Sequence, residues 1–93
     1  MKHWTHTEPD GRAVIEAAGL CAAGGGWAGP AADRLAAFEA LGEELAAQQE
    51  ALSERMAVLR SQGRERTVQF RELMAQKLNN AAVLSALQAR GLL

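Results

Sequence analysis

Apolar residues recur with the period of an α-helix over roughly residues 30–90, whereas residues 1–29 show no sustained period. Leu35, Gly42, Gln49 and Met56 stand seven apart, as do Phe38, Leu45, Leu52 and Leu59. Every member of the second series is large and apolar, so the two series read as the a and d positions of a heptad. Leu41 widens the stripe, and Arg34, Glu39, Glu43, Glu50 and Glu54 take the opposite face. Pro30 suits a first helical position, where its missing N–H leaves no bond unmade, and Asp33 suits the positive end of the helix dipole. Gly63 is the residue type a helix C-cap prefers. The spacing therefore predicts a helix over Pro30–Gln62.

A second periodic stretch follows at once. Thr67 is a candidate N-cap, and Phe70, Leu73, Met74, Leu78, Ala81, Leu84 and Leu87 mark one face of a helix over Thr67–Arg90. Gly91 ends it, and Leu92 is placed to reach back to Leu87 as in a Schellman motif. A short break between two long helices makes them antiparallel neighbours. The register then sets Leu59 against Phe70, Met56 against Leu73 and Leu45 against Leu84, and gives Leu87 room beside Gly42. Gln49 falls beside Asn79, Asn80 and Ala81, a polar layer of the kind that fixes register at some cost in stability.

Residues 1–29 read as a mobile arm. Asp10 could cap a short helix over 11–22, with Val14, Ile15, Ala18 and Cys21 on one face, although Gly19 weakens it by about 1 kcal/mol relative to Ala. The run Gly24-Gly25-Gly26-Trp27-Ala28-Gly29 reads as a flexible linker into the hairpin of residues 30–93. The expected class is all-α: an antiparallel helical hairpin with a short N-terminal helix or disordered arm, closing a four-helix bundle by dimerisation.

Composition bears on that last step. Hydrophobic residues are 48% of the 93, but many are alanine, and there are only two Trp, two Phe and no Tyr. Two helices with so few large side chains bury little area, and small scaffolds offset this with disulfides, metals or oligomerisation. One cysteine, Cys21, allows no internal disulfide and fits a reducing, cytoplasmic setting. No apolar run approaches the ~20 residues of a membrane span. Glu8, Pro9, Asp10, Arg12 and Glu16 interrupt any secretory signal. The alanine- and glycine-rich composition is compatible with a bacterial source.

The net charge of −1 is unevenly spread. Residues 1–52 carry three basic and eight acidic residues, a net of −5; residues 53–93 carry seven and three, a net of +4. Two hairpins packed antiparallel set the basic turn of one (Arg60, Arg64, Arg66) near the acidic open end of the other (Asp33, Glu39, Glu43), so the asymmetry has a use in an isologous dimer.

Candidate chemistry is sparse. His3, His6 and Cys21 offer only three metal ligands, with no evident fourth, so no metal site is assigned. The glycine run has neither the Gly-Lys-Ser/Thr ending of a phosphate loop nor a strand–turn–helix setting. Cys21 has no activating histidine nearby. No catalytic residue or cofactor is assigned, and the chain reads as non-enzymatic. Leu35, Phe38, Leu41, Leu45, Leu52, Met56, Leu59, Phe70, Leu73, Met74, Leu78, Leu84 and Leu87 are the expected core and interface. Arg60, Arg64, Arg66 and Arg71, with Arg55, form a basic cluster that could hold an anion. Glu54, Glu65 and Glu72 dilute it, and solvated charge at a hairpin end is the plainer reading. The expected role is a small self-associating interaction protein. The alternatives are a nucleic-acid or anionic-partner binder using the arginines, or an adaptor that accepts a helix from a different protein.

Overall fold

A computed structural model describes residues 1–93. The elements in chain order are β1 (Thr5–Thr7), β2 (Ala13–Ile15), a 3₁₀ turn (Ala17–Gly19), β3 (Cys21–Ala23), β4 (Gly26–Ala28), α1 (Pro30–Ser61) and α2 (Val68–Ala89). Helices dominate, but the all-α expectation is overturned: two small antiparallel β-hairpins precede α1. Two compact units divide the chain, Met1–Ala40 and Leu41–Leu93.

In the first unit the helix expected over 11–22 does not form. Pro9 and Asp10 fill the central positions of a β-turn in which Gly11 N–H donates to Glu8 O at 2.8 Å. Asp10 serves this turn by accepting from Arg12 N–H at 2.9 Å, and caps no helix. The turn folds β2 back on β1, pairing Thr5 with Ile15, His6 with Val14 and Thr7 with Ala13. The glycines read as a linker make a second hairpin instead. Gly24 and Gly25 form its two-residue loop, with Gly24 at φ +54° as the first central position of a type II′ turn requires. Ala22 pairs with Trp27, and Cys21 with Ala28.

Gly19 and Gly29 meet backbone to backbone in this unit. A Cβ on Gly29, which sits at φ +131°, would lie 2.5 Å from Gly19 O. A Cβ on Gly19 would meet Ala31 Cβ at 3.0 Å and Trp4 Cε3 at 3.1 Å. Pro30 then opens α1, whose first intrahelical bond runs from Asp33 N–H to Gly29 O at 2.9 Å.

The second unit contains the expected antiparallel pair. Both ends of its turn are capped. Gly63 N–H donates to Arg60 O and Arg64 N–H to Leu59 O, the paired bonds of a Schellman motif. Thr67 Oγ1 accepts from Phe70 N–H at 3.2 Å and so caps α2. At the far end Gly91 N–H donates to Gln88 O and Leu92 N–H to Leu87 O, a second Schellman motif. The core is a cluster of Leu52, Met56, Leu59, Phe70 and Leu73, with Met74 against it. Leu45 is also buried, and Leu84 and Leu87 are half-buried.

Two details of the register differ from expectation. Gly42 makes room for Leu93, whose Cδ2 lies 2.9 Å from where a Cβ would stand, rather than for Leu87. The mid-seam polar layer exists, but its bonds run from Gln49 Nε2 to Lys77 O at 3.0 Å and from Asn80 Nδ2 to Gln48 Oε1 at 3.2 Å. Gln49 and Asn80 do not bond each other, and Gln49 Oε1 is buried without a partner.

Candidate interaction surface

A two-helix hairpin has one internal seam, and each helix has more apolar residues than one seam can hold. In the second unit Leu41, Val58, Val68, Leu78 and Val83 are exposed. Leu41 and Leu78, expected in the core or an interface, thus lie outside the core, as does Leu35 of the first unit; Phe38 is half-buried. The positions of α2 beside the seam are ordered. Met74, Leu78, Ala81 and Ser85 recur at spacings of four, three and four, which places them on one helical face beside the core stripe. Leu78 is 62% exposed, Ala81 and Ser85 are exposed, and Met74 is half-buried.

A second feature lies at the helical turn. Arg60 stacks over the Phe70 ring, 5.4 Å from its centroid, and Arg64 donates to Gln69 Oε1 at 3.4 Å. Arg71 donates to Arg66 O at 3.5 Å. The only carboxylate contacts within 4.0 Å of any basic side chain are those of His6, so the arginines of the turn pair with no acid in the chain. Arg55 and Gln69 border an open cleft of ≈ 190 Å³ floored by Leu59 and Leu73, with Val58 on its wall.

The first unit brings together a set that the expected short helix concealed. His6 Nε2 lies 3.0 Å from Glu8 Oε1, and Nδ1 lies 2.9 Å from Glu16 Oε1. A neutral imidazole has one N–H, so both contacts are hydrogen bonds only when the ring is protonated. The bond to Glu8 first, and that to Glu16 next, raise the His6 pKa above its ordinary value. With both ring nitrogens engaged, His6 is not disposed to join His3 and Cys21 around a metal, and Cys21 is exposed at the start of β3. No group of three or more His, Cys, Asp or Glu side chains is placed to hold a metal ion. Trp27, 68% exposed, lines an open cleft with Ile15, Ala17 and Leu20.

Compared with known protein families, curated proteins and solved structures, the chain matches none. The surface must therefore be read from its own chemistry. No helix is long and apolar enough to cross a membrane. What periodicity missed is the His6–Glu8–Glu16 set and the Gln48 partner of Asn80. The signal for the first was Glu8-Pro9-Asp10-Gly11, a turn sequence that puts the flanking residues on paired strands.

Proposed function

We propose that this chain is a non-enzymatic, cytoplasmic interaction protein that acts by self-association through the helical surface its own hairpin leaves uncovered. The observation that carries the reading is the exposed Leu78–Ala81 patch on α2, 62% exposed at Leu78 and flanked by half-buried Met74 and by Ser85. Regularly spaced apolar residues on a helix call for a packing partner, and small scaffolds gain stability by oligomerising. The core supports the same reading, since it holds only six buried large side chains. Sedimentation equilibrium of the full chain tests the proposal. A concentration-dependent dimer at micromolar protein is expected, and a folded monomer throughout that range refutes it.

A second reading rests on the turn, where Arg60, Arg64, Arg66 and Arg71 lack acidic partners. They suit an anionic partner such as nucleic acid, whose binding weakens steeply with salt through counterion release. Replacing Arg60, Arg64 and Arg66 with Gln should abolish retention on heparin at low salt; unchanged retention removes this reading.

A further inference from the structure

We infer that the partner is a second copy of this chain, docked antiparallel along the outer stripe of α2; this rests on the self-association just proposed. The first argument is shape. Along Met74, Leu78, Ala81 and Ser85 the side chains run large, large, small, small. Laid antiparallel on a copy of itself, the stripe sets Leu78 against Ala81 of the partner and Met74 against Ser85 of the partner, each pair twice by symmetry. Large then meets small at every position, as interdigitating helices require. In a parallel pairing Leu78 would meet itself and Ala81 would meet itself, leaving a clash beside a gap. The stripe is therefore self-complementary in one orientation, which is the condition for an isologous two-fold interface.

The second argument is charge. Within the second unit the open end carries Glu43 and Glu44, while the turn carries Arg60, Arg64, Arg66 and Arg71. None of these groups pairs with an opposite charge in its own chain. The antiparallel arrangement brings the turn of each copy toward the open end of the other and gives both sets a counter-charge; the parallel one sets turn on turn. Shape and charge select the same orientation independently.

The experiment is sedimentation equilibrium on the full chain and on size-swapped variants, with circular dichroism confirming helix content. Leu78 and Ala81 are exposed in the single chain, so changing them leaves the hairpin core intact. Leu78→Ala leaves two gaps per dimer and Ala81→Leu makes two overpacked contacts. Each should raise the dissociation constant by about tenfold or more. The double variant rebuilds the large-on-small match in reverse and should recover most of the loss. For orientation, Arg64→Glu with Arg66→Glu should weaken the dimer, and adding Glu43→Arg with Glu44→Arg should restore it. If the single variants dimerise as tightly as wild type, the α2 stripe is not the interface, although self-association stands. Failure of the charge swap to restore a weakened dimer overturns the antiparallel orientation. A wild-type monomer at micromolar concentration overturns both this inference and the reading beneath it.

Discussion

Gln49 offers a direct test of the energetics in the helical seam. Its Nε2 donates to Lys77 O at 3.0 Å, and its Oε1 is buried with no partner. The amide orientation is dictated by the contact, because a flipped group would set two oxygens face to face. An unsatisfied buried polar atom costs about 1–3 kcal/mol, whereas a made hydrogen bond contributes a net of about 0.5–1.5 kcal/mol. Lys77 lies within α2, so its carbonyl keeps a helical partner when Gln49 is replaced. Gln49→Leu keeps the approximate volume, removes the orphan oxygen and adds apolar area at a heptad position. The balance favours the variant by about 1 kcal/mol, or roughly 5 °C in Tm for a chain of this size. Thermal unfolding followed by circular dichroism, at matched protein concentration because the proposed association would also shift Tm, measures this. The register should survive, since Asn80 still donates to Gln48. A Tm below that of wild type would show that the Gln49–Lys77 bond outweighs the orphan oxygen, and the reasoning fails.

Three further outcomes concern stability at single glycines and caps, and a fourth concerns pH. Gly29→Ala should destabilise by about 3 kcal/mol, because its Cβ would sit 2.5 Å from Gly19 O on rigid backbone at φ +131°. Gly42→Ala should stabilise by about 0.5–1 kcal/mol, because the helix-propensity gain exceeds the cost of moving the flexible end of Leu93; urea unfolding of the two alanine variants should bracket wild type. Thr67→Ala removes the cap on Phe70 N–H and should cost about 1 kcal/mol in the same unfolding assay. The bonds from His6 to Glu8 and Glu16 raise its folded-state pKa above the unfolded 6.5, so their contribution to the first hairpin is fully present below pH 6.5 and disappears as pH rises through the raised value. An NMR titration in which the His6 ring titrates at or below 6.5 contradicts this, as does a His6→Gln variant whose β1–β2 amides keep the same pH dependence.

The helices were legible in the sequence for a physical reason. Burying one face over many turns imprints a period that a few exceptions cannot hide, and Pro30, Gly63 and Thr67 mark its ends chemically. The hairpins were not legible through periodicity, because strands of three residues are too short to show an alternation. Their turns did carry signals. Glu8-Pro9-Asp10-Gly11 and Gly24-Gly25 are both turn chemistries. Val14, Ile15 and Ala18 downstream of Asp10 mimic the face of a capped helix, however, and Gly26 extends the glycine pair into what resembles a linker. For the candidate surface, the surplus of Leu78 and Met74 over what one seam can bury was readable from spacing. That Gln48 rather than Gln49 receives Asn80 was not, since it depends on the rotation of each helix about its own axis.

The order of the elements has a kinetic consequence. β1 pairs with β2, β3 with β4, and α1 is followed directly by α2, and the longest intervening loop is residues 62–67. Hairpins and helix pairs of this kind close short loops and wait for no distant segment, so little chain entropy is lost before contacts form. Relaxation after a temperature jump should fall in the microsecond-to-millisecond range of local helical folds. The proposed association, being bimolecular, should then set the slowest phase, one that accelerates with protein concentration.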